Sequence, residues 1–128
     1  MFTHVMVGSK DPERSRTFYD KVLETLGIEP SKSPQGAKQH FYSDGKGGPG
    51  FGVGTPREGE QTHANGGTIG FAAQNRAQVD AFHKAALEHG GSCEGPPGER
   101  APEMGSPYGA YARDPDGNKL ACFTRSKD

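Results

Sequence analysis

The second half of this 128-residue chain repeats the pattern of the first half at a spacing of 64 residues. Each half begins with an apolar run, residues 4–7 and then residues 68–71, which is followed by a polar cap and a helical stretch. Because the order of these features is shared, we interpret the chain as one unit that has been duplicated. Two related units tend to hold a ligand between them, so we expect the functional site there. The identities in 25 aligned positions are Phe18 with Phe82, Leu23 with Leu87, Glu24 with Glu88, and Gly27 with Gly91.

Length and composition predict one small domain built from short strands. We assign residues 1–128 to a single domain, with module one at about 1–55, a polar linker at about 56–66 and module two at about 67–125. Hydrophobic residues make up only 30% of the chain, whereas there are 20 glycines and 10 prolines. This balance favours many short strands that are separated by turns.

The charge balance argues against nucleic acid and membrane partners. The chain has 15 basic and 16 acidic residues and a net charge of -1, so it has no field that would attract phosphate backbones or anionic lipid. No apolar run approaches the roughly 20 residues that span a bilayer, and the first residues lack signal-peptide features, so we expect a cytoplasmic protein. Cys93 and Cys122 form no Cys-x-x-Cys pair, and we expect two reduced, buried thiols.

Capping residues predict where two helices begin. Asp11 and Pro12 are typical of a helix start, and Asn75 with Gln78 three residues later resembles a capping box. Both helices carry an apolar stripe that we expect to pack on a sheet. Residues 94–107 are rich in proline and glycine and predict a long irregular connection. Either Arg100, Met104 and Tyr108 reach a bound molecule from this connection, or it is a solvated, partly mobile loop. The predicted strands are residues 2–8, 39–43, 50–55, 67–73, 108–113 and 119–124.

Several of these segments together resemble a known superfamily. Residues 3–7, 18–23 and 67–72, and above all the Tyr-Ala-Arg-Asp-Pro-Asp-Gly-Asn segment at 111–118, look like the vicinal oxygen chelate superfamily. That superfamily contains glyoxalase I, extradiol dioxygenases, fosfomycin resistance enzymes and bleomycin resistance proteins. The resemblance implies an α+β fold of two βαβββ modules, whose curved mixed sheets enclose a cavity. It also implies a homodimer, because many members complete their cavities across two chains.

Metal-dependent members of this superfamily hold a divalent ion with four positions, and most of these positions cannot bind metal here. The resemblance places the first at His4 and its counterpart in module two at Thr68. The other two fall at Gly52 or Val53 and at Ala121. One neutral imidazole binds a divalent ion too weakly to retain it, so we expect no metal and no other cofactor. A relocated site that uses His4, His40 and an acid remains an alternative.

The alternation of side chains along strands predicts which residues line the cavity. Ala110 and Ala112 suit packing under a helix, which leaves Tyr111 and Arg113 for the cavity, although a core aromatic and a surface salt bridge remain open alternatives for these two. His83 and His89 are predicted on the solvated side of the second helix. The predicted ligand-binding residues are His4, Met6, His40, Arg100, Tyr111, Arg113, Lys119 and Phe123.

Three functions are compatible with these residues. We favour a metal-free protein that binds a small organic molecule in an aromatic and basic cavity between the modules. The second is a metal-dependent lyase, isomerase or dioxygenase of the glyoxalase type, in which a relocated ion acts as a Lewis acid. The third is a metal-free enzyme that uses His4 as a general base while Tyr111 or Arg113 polarises a substrate oxygen.

Overall fold

Each half of the chain forms one strand, one helix and three further strands, as the duplication predicts. The computed structural model describes residues 1–32, 36 and 38–128. The first half contains β1 (His4–Gly8), α1 (Pro12–Glu24), β2 (Glu29–Pro30), β3 (Gln39–Ser43) and β4 (Gly50–Gly54). The second half contains β5 (Ile69–Ala72), α2 (Arg76–Glu88), β6 (Ser92–Glu99), a short 3-10 helix (Pro102–Met104), β7 (Tyr108–Arg113) and β8 (Lys119–Thr124). The predicted pair of βαβββ modules is therefore confirmed.

The strands form two mixed four-stranded sheets of matching topology. The first sheet has the order β1-β4-β3-β2 and the second has the order β5-β8-β7-β6. In each sheet the first and last strands of the module pair in parallel, and the other pairs are antiparallel. The two sheets do not close into a barrel. Among the residues that the structure describes, no helix combines the length and apolar character that crossing a bilayer requires.

The two helices begin where the capping residues predict. The Asp11 side chain accepts a hydrogen bond from the Arg14 amide at 3.2 Å, and Pro12 occupies the first helical position. The Asn75 side chain accepts a hydrogen bond from the Gln78 amide at 2.9 Å, which caps α2 in the same way. Helix α1 ends at Glu24, and Gly27 follows with a positive φ of 75° that favours glycine.

One hydrophobic core joins the two modules. Each helix covers one face of its sheet, and we call the opposite face of each sheet its helix-free face. Phe71 of β5 packs against Phe51 of β4 at 5.2 Å between ring centroids and against Phe82 of α2 at 5.8 Å. Of these rings Phe82 is fully buried, and burial of a side chain of this size stabilises the fold by roughly 1.5–3 kcal/mol. The modules therefore share a core and do not fold around separate ones.

The turn at residues 114–118 adds a buried polar connection between the modules. The Asn118 side-chain amide donates to the Gly8 carbonyl at 2.9 Å and to Asp114 Oδ2 at 2.8 Å. Tyr19 of α1 donates its hydroxyl to the same Asp114 oxygen at 2.5 Å. Burial raises the pKa of Tyr19 well above its ordinary value, so the hydroxyl stays protonated and remains a donor. The predicted hairpin turn thus also binds the first module.

Asp116 of the same turn contacts the start of α1. Its carboxylate accepts hydrogen bonds from the Lys10 amide at 2.9 Å and from the Ser15 hydroxyl at 3.1 Å. It also pairs with the Arg14 guanidinium at 3.0 Å, although the Asp116 side chain is fully buried. A buried carboxylate needs partners of this kind, because an unpaired charge is costly in the interior.

The proline-rich segment after α2 is a strand, and the prediction of an irregular connection there is wrong for residues 94–99. Strand β6 contains Pro96 and Pro97 because it is the edge strand of the second sheet. Its pairing with β7 shifts register between Cys93 and Gly95 and again between Gly95 and Gly98. Proline is tolerated at such edges and bulges, where no amide is needed by the ladder.

Two further predictions about side-chain exposure are wrong. His83 is 8% exposed, not solvated, because it follows Val79 by four residues and therefore shares its core-facing side of α2. Cys93 is exposed, because it lies on the edge strand β6. The expectation for Cys122 is confirmed, since this residue is fully buried under α2 and burial raises the pKa of its thiol to about 12.

The Asn118 connection predicts a large loss of stability on truncation. We expect Asn118→Ala to lower the free energy of unfolding by about 1–3 kcal/mol, because it removes two hydrogen bonds that the buried Asn118 amide donates to the Gly8 carbonyl and to Asp114. Urea unfolding measures this change. The exposed Asn65 provides the matched control Asn65→Ala, which we expect to be nearly neutral. Equal losses in the two variants would contradict the assigned role.

Candidate functional site

The helix-free face of the second sheet carries a pair of aromatic rings. Alternation along β7 buries Ala110 and Ala112 under α2 and places Tyr111 on the opposite face. The Tyr111 and Phe123 rings meet edge to face, with centroids 5.5 Å apart and an interplanar angle of 70°. The Phe123 ring lies over Gly109, where a Cβ atom would be only 2.2 Å from the ring. A glycine at 109 therefore makes room for the aromatic floor of the site.

Two cations lie beside the Tyr111 ring. Lys119 Nζ is 4.9 Å from the ring centroid, and the Arg100 guanidinium carbon is 5.8 Å from it. The Arg100 guanidinium donates to the Pro96 carbonyl at 2.6 Å and to the Gly98 carbonyl at 3.0 Å. These carbonyls belong to the irregular part of β6, so the shape of this edge strand fixes the cation. A cation near an aromatic face is stabilised by the ring quadrupole.

Tyr111, Phe123 and Arg100 line a cleft of about 510 Å³, which we call the Tyr111 cleft, whereas Lys119 is not among its lining residues. All of the lining residues belong to module two, so this cleft does not lie between the modules as we predicted. Its volume falls within the range of small-molecule sites. No acidic side chain is among its lining residues in the part of the chain that the structure describes. The lining residues are Gly70, Phe71, Ala72, Arg100, Ala101, Met104, Pro107, Tyr111, Phe123, Thr124 and Arg125.

Arg125 is a lining residue that we did not predict. It follows Phe123 by two residues, so the alternation along β8 could have placed it on the same face. Its guanidinium donates to the Met104 carbonyl at 2.8 Å, which ties the end of β8 to the segment after β6. Tyr108, in contrast, turns away from the cleft and donates its hydroxyl to Asp80 of α2 at 2.6 Å. The expectation that Tyr108 reaches a ligand from the loop is therefore wrong.

Arg113 lies on the helix-free face and is held by structural contacts. Its guanidinium donates to Glu94 at 2.8 Å and to the Gly117 carbonyl at 2.9 Å. The hydrogen bond and charge of Arg113 lower the pKa of Glu94 below its ordinary value. Of the two alternatives left open for Arg113, this geometry corresponds to the salt bridge near the turn.

The first sheet does not bring its two histidines together. His4 is exposed, and its Nδ1 lies 2.9 Å from the Thr3 hydroxyl. His40 is buried on the same face of β3 as Tyr42, which is the face covered by the helix. Side chains alternate along strands, so His40 and His4 lie on opposite faces of the first sheet. Among the described residues no partner hydrogen-bonds His40 Nε2. The relocated site of His4, His40 and an acid is not formed within one chain.

The positions that the superfamily uses for metal do not fit an ion here. Gly52 lies beneath Phe41 and Met6, and a Cβ atom at Gly52 would lie 2.7 Å from the Phe41 ring and 3.1 Å from the Met6 methyl group. An acid cannot occupy this position without moving both side chains. Val53 is fully buried towards the helix. Within residues 1–32, 36 and 38–128, no three His, Cys, Asp or Glu side chains are grouped closely enough to hold a metal ion.

Comparison with known proteins supports the resemblance seen in the sequence. The profile of the Glyoxalase/Bleomycin resistance protein/Dioxygenase superfamily matches residues 1–122. The chain belongs to this superfamily. No curated protein matches the chain. The match agrees with the duplicated βαβββ arrangement of the two sheets.

Solved structures of this superfamily share the fold over nearly the whole chain. A glyoxalase/bleomycin resistance protein from Albidiferax ferrireducens T118 has 48% identity and a TM-score of 0.88, covering 98% of this chain and 99% of its own. A glyoxalase-related enzyme from Fulvimarina pelagi has 15% identity and a TM-score of 0.77, covering 97% and 87%. A lactoylglutathione lyase from Agrobacterium tumefaciens has 19% identity and a TM-score of 0.65, covering 97% and 92%. The last two similarities concern the fold alone.

The residues at the superfamily's metal positions predict no specific metal binding. We expect excess Zn²⁺, Ni²⁺ or Mn²⁺ to leave the melting temperature unchanged and to bind only weakly, with no defined stoichiometry, because one exposed imidazole is a weak ligand. Calorimetric titration and metal analysis of the purified protein measure this. Stoichiometric binding that disappears in His4→Ala and persists in the control His63→Ala would overturn the prediction.

Proposed function

We propose that this protein binds a small planar organic molecule that carries an acidic group, without the help of a metal ion. The observation that carries the proposal is the Tyr111 ring, which lines with Arg100 a cleft that includes no acid among the described residues and which has Lys119 Nζ 4.9 Å from its centroid. An aromatic surface attracts a planar ligand, and uncompensated cations attract an anionic one. Membership of a superfamily that includes bleomycin resistance proteins is consistent with this role.

The cleft supplies affinity and orientation through different side chains. Tyr111 and Phe123 provide ring contacts that are worth roughly 0.5–1.5 kcal/mol per aromatic pair beyond the area they bury. Arg100 presents a planar guanidinium whose position is set by the Pro96 and Gly98 carbonyls, so little side-chain entropy is lost when an anion binds. The aromatic rings thus supply most of the affinity. The cations set the orientation of the ligand by binding its acidic group.

Binding is favoured over catalysis because the proton-transfer candidate lies elsewhere. His4 belongs to β1 of the first sheet and does not line the Tyr111 cleft. General-base catalysis requires the base within hydrogen-bonding reach of the substrate proton. The same separation argues against the metal-dependent alternative within one chain. We also propose a cytoplasmic location, with which the two free cysteines agree.

We propose that two copies of the chain associate through the helix-free faces. Met6 is 41% exposed on the first sheet, and the half-buried Phe41 lies beside it over Gly52. The Tyr111 cleft of the second sheet is open to solvent as well. A second copy that placed its first sheet over this cleft would cover both apolar surfaces.

Sedimentation tests the proposed association. We expect a dimer at micromolar concentration and a shift towards monomer in Met6→Glu, because a charge is costly in an apolar interface. Leu87→Glu is the matched control, since Leu87 is 44% exposed on α2, away from the helix-free faces. A monomeric wild-type protein, or equal dissociation in the two variants, would remove the proposal.

Fluorescence titration with anilinonaphthalene sulfonate, an aromatic anion, tests the proposed ligand class. We expect saturable one-site binding that Tyr111→Leu and Arg100→Gln each weaken by about 3- to 30-fold, which corresponds to the loss of one ring or cation contact. Lys84→Gln removes an exposed cation on α2 and serves as the control. Binding that is unaffected by both cleft variants, while their melting temperatures stay normal, would contradict the proposed function.

A further inference from the structure

A cysteine and a histidine that the proposed function does not use lie in contact on the helix side of the second sheet. His83 Nε2 of α2 is 3.2 Å from Cys93 Sγ of β6. Cys93 pairs with Ala112 in the register of β6 and β7, which directs it to the helix side, whereas Tyr111 faces the opposite side. The pair is therefore separated from the Tyr111 cleft by the thickness of the sheet.

The two residues differ in exposure in the way that a nucleophile and its base require. Cys93 is exposed at the edge of the sheet, so a reagent can reach its sulfur. His83 is only 8% exposed, and this burial fixes the orientation of the ring. The other cysteine, Cys122, is fully buried and has its pKa raised to about 12, so it offers no competing thiolate.

The surroundings of His83 keep its imidazole in the form that accepts a proton. Burial lowers the pKa of His83 below its ordinary value, and the nearby Asp80 carboxylate opposes this effect only in part. Asp80 itself accepts a hydrogen bond at 2.6 Å from Tyr108 of β7. When the neutral ring carries its proton on Nδ1, Nε2 is free to accept the proton of the Cys93 thiol.

We propose that Cys93 and His83 form a thiol–imidazole pair that makes Cys93 a site of covalent modification by uncharged soft electrophiles, such as α,β-unsaturated carbonyl compounds. His83 Nε2 takes the thiol proton as the sulfur attacks the β-carbon. A carbon–sulfur bond forms, the carbon–carbon π bond opens to an enolate, and the α-carbon then takes up a proton from His83 by way of solvent. No group leaves and no electron donor or acceptor is needed. The negative charge of Asp80 disfavours an anionic reagent at this position.

The rate of alkylation by N-ethylmaleimide tests the pair in the full-length protein. Intact mass and peptide mapping should show one adduct, on Cys93. Near pH 7 we expect His83→Gln to slow this reaction by about tenfold or more, as loss of a general base does. Near pH 10 the two rates should converge, because hydroxide then replaces His83 as the base. His89→Gln, a substitution just beyond the end of the same helix, should leave the rate unchanged at both values.

Four results would overturn the proposal. Equal rates for wild type and His83→Gln near neutral pH would show that His83 does not assist, and an equal slowing at both pH values would show that it only positions Cys93. Preferential labelling of Cys122 would place the reactive thiol elsewhere. If His83→Gln does not fold, the solvent isotope effect on the wild-type alkylation rate tests the proposal. A base-assisted attack should be slowed in heavy water by a larger factor than the alkylation of a cysteine peptide. A reaction that slowed no more than that of the peptide would refute the proton transfer.

Discussion

The buried hydrogen bonds of the turn at residues 114–118 hold the two modules in one arrangement. Apolar contacts between modules are not directional, whereas Asn118 reaches the Gly8 carbonyl and Tyr19 reaches Asp114 along defined directions. A shift of one module against the other would leave these buried groups unsatisfied, which costs more than the bonds contribute when made. The position of β8, and with it Phe123 and Lys119, therefore depends on a turn that lies outside the cleft.

The two sheets have the same topology, but their helix-free faces carry different side chains. On the first sheet, Phe41 and Met6 close over Gly52, and the side-chain volume above that glycine is already occupied. On the second sheet, Phe123 closes over Gly109 in a comparable way, but Tyr111 beside it remains half-buried with cations at its edge. The same device, an aromatic ring over a glycine, thus produces an apolar surface in one module and an aromatic, basic cleft in the other.

The features that could be predicted from the sequence were those that local chemistry determines. The caps at Asp11 and Asn75 and the alternation along β7 depend on neighbours within a few residues, and each is found as predicted. The wrong predictions concern features that depend on contacts between segments far apart in the sequence. Strand β6 has the composition of a loop and becomes a strand only because it lies at a sheet edge. The exposure of Cys93 likewise depends on its place at that edge, which no short-range pattern encodes. The burial of His83, in contrast, could have been predicted from its spacing of four residues from Val79.

Strand β6 contributes to both faces of the second sheet. Because β6 pairs with β7 on one side only, some of its carbonyl groups lie outside the ladder, and those of Pro96 and Gly98 accept hydrogen bonds from Arg100. The cation is thereby held beside Tyr111 by backbone oxygens without an acid that would neutralise it. Before the first shift, Cys93 still follows regular alternation and faces His83. The prolines and glycines of β6 therefore separate a ligand-facing surface from a thiol-bearing one within eight residues.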